Sequence, residues 1–144
     1  MNLFGMLEMS GSALGAERQR AEVVASNMAN AQTTRTAEGG PYRRQLVVFQ
    51  SRRPSRFSLA LAGLHPPSNA AVRVAAVIPD ARPPVLRYEP GHPDADEKGY
   101  VKYPQVDPIE EMTDLLSAMR SYELNASAVQ AAKNMIQQSL DLLR

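Results

Sequence analysis

Apolar residues recur at three- and four-residue steps at both ends of the chain, and in short runs between them. Near the N-terminus the repeat passes through Leu3, Leu7, Ser10, Leu14, Glu17, Ala21, Val24, Met28 and Ala31. Alternating steps of three and four are the signature of a helix that buries one narrow seam. Small residues flank the seam, including Gly11, Ala13, Gly15 and Ala16, and permit a close neighbour. Gly5, Gly11 and Gly15 each weaken an isolated helix by about 1 kcal/mol, so this helix is expected to need a partner.

The C-terminal segment opens with a helix start signal. Asp107 suits the cap, Pro108 the first helical position, and Glu110 the return half of a capping box. A stripe then runs through Ile109, Met112, Leu116, Met119, Ala126, Val129, Ile136, Leu140 and Leu143, with Lys133 as its one charge. One step, around Tyr122 and Glu123, is irregular and reads as a three-residue stammer. The two helices would be roughly 45 and 53 Å long, similar enough to pair antiparallel.

Proline separates these ends from the middle. All 11 Pro lie between Pro41 and Pro108. A proline inside a helix costs about 3 kcal/mol, so the middle is expected to consist of strands, turns and loops. Strands are expected at Gln45–Gln50, Ala71–Ile78, Val85–Tyr88 and Gly99–Tyr103, each bounded by Pro, Gly or polar turns. Ser51–Asn69 gives no clear pattern. The fold class expected is α+β: long N- and C-terminal helices paired as an antiparallel coiled coil, with a small β-rich middle between them. The expected division is 1–31 with 108–144 as a helical core, and 32–107 as a Pro-rich β-domain. Most of the two stripes is expected to pack within the chain, and the remainder against neighbouring subunits.

Composition narrows the chemistry. Across 144 residues, 44% are hydrophobic and 22% charged, which excludes a wholly disordered chain. Cys is absent, which excludes disulfides, thiolate metal sites and cysteine nucleophiles. The first charge is Glu8 and the first cation Arg18, so a cleavable signal peptide is not expected. The net charge of +1 conceals a basic block: residues 32–56 hold Arg35, Arg43, Arg44, Arg52, Arg53 and Arg56 against one Glu. With few aromatics to stack bases, the block reads as a solvated or partner-facing loop, not a nucleic-acid site. Of the two His, His65 precedes Pro66–Pro67, and His92 lies in an acidic run with Asp94, Asp96 and Glu97. That run resembles an oxygen-rich cation site, but lacks the full calcium-loop pattern and reads as a solvated turn. No enzymatic activity, metal or cofactor is expected.

The run SALGAERQRAEVVASNMANAQTT, with Ser26, Asn27, Ala29 and Asn30 as Ser–Asn–x–Ala–Asn, resembles the N-terminal motif of bacterial flagellar axial proteins of the rod and hook. GGPYRRQLVVF, VLRYEPGHPDADEKGYVKYPQVD and EEMTDLLSAMRSYELNASAVQAAKNM extend the likeness, in the same order, to proximal-rod members of that family. Pro104–Gln105–Val106 departs from the usual Pro–Asn–Val. The resemblance implies a structural subunit of the proximal rod, the drive shaft between the membrane ring and the distal rod and hook, needed for motility. It implies a periplasmic basal-body location, reached through the flagellar type III export apparatus without signal cleavage. Implied partners are copies of itself, other proximal and distal rod proteins, the membrane-ring protein and the rod–ring adaptor. Helix pairing and subunit contact fall on Leu3, Leu7, Leu14, Ala21, Val24, Asn27, Met28, Asn30, Ile109, Met112, Leu116, Met119, Tyr122, Val129, Ile136, Leu140 and Leu143. The competing reading is a helical-bundle scaffold or adaptor outside the flagellum.

Overall fold

The computed structural model describes residues 3–52 and 71–142. Helix α1 spans Leu3–Ala29 and helix α2 spans Pro108–Asp141. Between them lie β1 (Gln45–Arg52), β2 (Ala71–Pro79), β3 (Val85–Tyr88) and β4 (Tyr100–Tyr103). The chain is therefore α+β, with two two-stranded sheets, β1–β2 and β3–β4. Every strand falls within two residues of the span expected from the sequence. Most of Ser51–Asn69 lies outside the described residues.

The described residues form two compact units. One holds 3–19, 49–52, 71–75 and 118–142; the other holds 20–48 and 76–117. In the first, Ser10 and Ala16 of α1, Ala71 of β2, and Ala118 and Ala132 of α2 are buried. The Ser12 hydroxyl donates to the Met9 carbonyl and accepts from the Val72 amide at 3.0 Å.

In the second unit, β3 and β4 pair antiparallel, with Val85 opposite Tyr103 and Tyr88 opposite Tyr100. The Tyr88 and Tyr100 rings meet edge-on, 5.4 Å between centroids. Cross-strand aromatic pairs of this kind stabilise a sheet by up to about 1 kcal/mol. Val101 is fully buried between exposed neighbours, as strand alternation requires. The acidic run is the connection between these strands. Asp96 accepts from the Lys98 and Tyr100 amides, and Asp94 accepts from the Thr34 hydroxyl and pairs with Arg35 at 3.6 Å. These carboxylates hold the turn and tie it to residues 34–35. Gly99 closes the turn at φ +80°, and a Cβ there would stand 2.9 Å from the Tyr88 ring.

Helix α2 starts where expected: the Asp107 carboxylate accepts from the Ile109 amide at 2.9 Å. Glu110 has another use, accepting from Arg44 at 3.2 Å. At the end of α1, Asn30 adopts no left-handed cap, since only glycines have positive φ among the described residues. Its side-chain amide instead donates back to the Ser26 carbonyl at 2.9 Å.

Two substitutions separate backbone strain from steric clash. Gly39 also has positive φ (+87°), with open space around it. Gly39→Ala is expected to cost about 1 kcal/mol through backbone strain alone. Gly99→Ala adds the clash with Tyr88 and is expected to cost roughly 2–3 kcal/mol. Urea unfolding of both variants checks the order. A pH effect is expected nearby. The Tyr103 hydroxyl donates to Glu89 at 2.9 Å, and this bond, then burial and the Glu89 charge, raise its pKa above the ordinary tyrosine range. The stabilisation is fully present below the pKa of an unfolded tyrosine, about 10. It is lost as pH rises through the higher folded value. Phenolate absorbance of the chain against Tyr103→Phe reports it.

Candidate functional site: a buried polar junction and an exposed helical stripe

The second unit is centred on a polar cluster where the end of α1, the start of β1 and the first turn of α2 meet. Glu111 is 0% exposed, Asn27 1% and Arg44 8%. Each owes its position to local structure. Tyr42 and Arg44 alternate with Arg43 ahead of β1, so extended backbone sends the first two to the same side. Glu111 lies on the first turn of α2, directly after the Asp107 cap.

Asn27 uses its full hydrogen-bonding capacity of two donors and two acceptor sites. Its amide donates to the Gln45 carbonyl at 2.9 Å and to Glu111 at 3.0 Å. Its oxygen accepts from the Gln45 amide and the Tyr42 hydroxyl, both at 2.9 Å. The side chain thus pairs with the first peptide of β1 as a neighbouring strand would. Aspartate lacks the two donors, and alanine leaves four groups without this partner, the fully buried Glu111 carboxylate among them.

Arg44 supplies the countercharge. Its Nε donates to Glu111, its Nη1 to Glu110, and its Nη2 lies 3.5 Å from Asp114. Asp114 also meets Arg20 at 3.4 Å. Burial works against the Arg44 charge, but the hydrogen bond and charge of Glu111, then Glu110, outweigh it and raise its pKa. Only a planar fork reaches three carboxylates in this way. Removing one partner of a buried ion pair typically costs about 3–5 kcal/mol.

The basic block therefore splits by role. Arg44, expected with its neighbours in a solvated or partner-facing loop, is buried because three carboxylates at the start of α2 face it. Arg35 pairs with Asp94, Arg43 is exposed, and Arg53 and Arg56 lie outside the described residues.

The expected helix-pairing residues fall into distinct environments. On α1, Val24 and Asn27 are buried; Leu7, Leu14, Ala21, Met28 and Asn30 are half-buried. Leu3 begins α1, and Leu143 lies outside the described residues. On α2 the stripe divides. Ile109, Met112, Leu116 and Met119 are 50–77% exposed, Tyr122 and Leu140 are exposed as well, and Val129 and Ile136 are half-buried. Packing of most of this stripe within the chain is thus not what α2 shows between Ile109 and Tyr122. The covered face runs instead through Glu111, Leu115, Ala118, Asn125, Val129, Ala132 and Ile136. With half-buried Ser121 between Ala118 and Asn125, those positions keep steps of three and four with no stammer. The irregular step at Tyr122 and Glu123 arose from joining the outer face before it to Val129 and Ile136 of the inner face after it, while Ala126 and Leu140 of the same stripe are exposed. Lys133 lies beside the inner seam, which passes through Ala132. Small and polar residues at Glu111, Ala118, Asn125 and Ala132 hid the inner seam from a search for large apolar side chains. The paired acids Glu110–Glu111 with Asp114 opposite Arg43–Arg44 were the available signal for the junction.

The two asparagines of the Ser–Asn–x–Ala–Asn run are expected to differ sharply. Asn27→Ala should destabilise the chain by roughly 3 kcal/mol or more. Asn30→Ala, whose bonds to Ser26 and Thr33 are more exposed, should cost no more than about 1 kcal/mol. Chemical denaturation of the two variants, three residues apart on one helix, tests the assignment.

Known proteins resemble this chain along its whole length. The family described as "Flagella basal body rod protein" matches residues 7–35, which includes Asn27 and Asn30. The family described as "Flagellar basal body rod FlgEFG protein C-terminal" matches residues 97–142, which includes Glu111 and the outer stripe. The flagellar basal-body rod protein FlgC of Bacillus subtilis is 42% identical, covering 99% of each chain. FlgC of Borreliella burgdorferi is 38% identical, covering 100% of this chain and 99% of its own. FlgC of Escherichia coli O6:H1 is 42% identical, covering 99% of this chain and 98% of its own. With both ends matched and the intervening segments in order, the chain belongs to the flagellar basal-body rod protein FlgC family.

Proposed function

We propose that this chain is a structural subunit of the proximal segment of the flagellar rod, polymerising into the drive shaft that motility requires. The observation that carries the assembly mode is the outer stripe of α2. Ile109, Met112, Leu116 and Met119 lie at steps of three and four on one helix, and a single copy leaves them exposed. Covering what remains exposed of each such side chain contributes on the order of 1–2 kcal/mol. A helix with one face packed and an apolar stripe on the other is built to receive a second helix. In this reading the stripe meets a terminal helix of a neighbouring subunit.

Within the subunit, α1 and α2 pair as an antiparallel coiled coil along the inner seam. Two contacts support this. Asn27 meets Glu111 and Arg20 meets Asp114, so advance along α1 is retreat along α2. The buried polar junction fixes the register, a role for which a buried Asn is well suited. Family resemblance supports the remainder: export through the type III apparatus without signal cleavage, a periplasmic position, and contact with the membrane-ring protein, the rod–ring adaptor and other rod proteins.

The test separates folding from assembly. Met112→Asp with Leu116→Asp places two carboxylates on a face that a single copy leaves in water. The purified variant should keep its helix content by circular dichroism, and its secretion should match the parent. Isolated basal bodies should lack rods, and cells should not swim. Normal basal bodies in this strain would overturn the assembly mode.

A further inference from the structure

The second unit contains a basic cavity that neither the buried junction nor the α2 stripe uses. It encloses about 300 Å³ and is lined by Arg43, Arg82, Lys102 and Asp80, beneath a lip formed by Gly39 and Gly40. Asp80 is its one acid and is already committed: it accepts from the Arg82 backbone amide at 3.0 Å and from Arg82 Nε at 2.6 Å. The bonds from Arg82 hold the Asp80 carboxyl below the usual carboxylate range. Arg44 also borders the cavity, but its charge is met by Glu111 and Glu110. The cations left over are Arg43 and Lys102, both exposed and without an acidic partner among the described residues.

The carboxylates next to the cavity do not neutralise them. Asp94 and Asp96 line an adjoining hollow that shares Lys102. Asp94 is engaged by Thr34 and Arg35, and Asp96 by the amides of its own turn. Two unpaired cations lining one concavity raise the local concentration of anions there. The glycine lip, at φ +87° and +79°, has open space where side chains would otherwise stand. A narrow extended segment can therefore approach the backbone closely.

We propose that this cavity is a docking site for an acidic peptide segment of a neighbouring subunit, whose carboxylates sit between Arg43 and Lys102. The choice of partner rests on the rod-subunit reading; the site itself rests on the cavity and its unmatched charge. The contact is heterologous, a basic hollow on one molecule against an acidic segment on the next. Contacts of that kind propagate a helical polymer, whereas self-matched patches close into dimers. Complementary charge of this type mainly sets partner choice and encounter rate.

The experiment compares three strains, each producing one form of the full chain in place of the parent. The first carries Arg43→Glu with Lys102→Glu, the second Arg43→Gln with Lys102→Gln, and the third the same reversal outside the cavity, Arg73→Glu with Lys98→Glu. Secretion and thermal melting of the purified chain are measured beside the amount incorporated into basal bodies. The cavity reversal is expected to lower incorporation about tenfold or more, with melting unchanged. The glutamine variant should lose less, and the outside reversal should incorporate like the parent. Motile revertants of the cavity reversal should carry acid-to-base changes in a neighbouring rod subunit. Parent-level incorporation of the cavity reversal, or equal loss in the outside control, overturns the docking site. Loss of rods in the Met112→Asp, Leu116→Asp strain alongside that result leaves the rod assignment standing, so the two failures are distinguishable.

Discussion

The buried contact of Arg44 with Glu111, and of both helices with β1 through Asn27, is the constraint on which the second unit depends. A carboxylate with no solvent exposure is stable only where its hydrogen bonds are complete and a countercharge is close. Both conditions are met by residues distant in sequence. Asn27 comes from the end of α1, Arg44 from the approach to β1, and Glu111 from the first turn of α2. Arg44 is satisfied by α2 alone, but Asn27 and Glu111 are each satisfied only when all three segments are in place. An apolar core tolerates small shifts in register, whereas this junction has one arrangement in which each donor meets an acceptor.

Such a junction suits a helix whose covered face carries little large apolar surface. The covered seam of α2 alternates Leu115, Val129 and Ile136 with Ala118, Asn125 and Ala132. Small residues allow close approach but discriminate weakly between alternative registers. A buried amide and ion pair discriminate strongly, because any shift of the segments that meet there leaves charges unpaired. Larger side chains are thereby left for the opposite face of α2, where Ile109, Met112, Leu116 and Met119 are exposed.

The β-rich middle follows a similar economy. Turns are held by side chains close in sequence: Asp96 binds the amides of its own loop, and Asp80 binds Arg82 two residues on. Gly99, at positive φ and with no Cβ to strike the Tyr88 ring, leaves room for the edge-on contact of Tyr88 and Tyr100 across the β3–β4 pair. The acidic run after His92 thus resembles a cation loop in composition while serving as a turn anchored to Thr34 and Arg35.

Local rules by themselves determined much of this protein. Pro-free ends became helices, Asp107 capped α2, and four short runs bounded by Pro and Gly became strands, because propensity, capping and alternation act over a few residues. Whole-length likeness to flagellar rod proteins was also legible in the sequence. Tertiary structure alone decided which face of α2 is covered. Both faces carry steps of three and four, and the outer one, richer in Leu, Met and Ile, looked more like a core. The covered face was chosen by Glu111, whose charge had to reach Arg44. It likewise decided that Arg44, not Arg43, is buried, since adjacent identical residues on extended backbone differ only in the side to which they point. Burial of a charge depends on what faces it across the fold, and no local pattern carries that information.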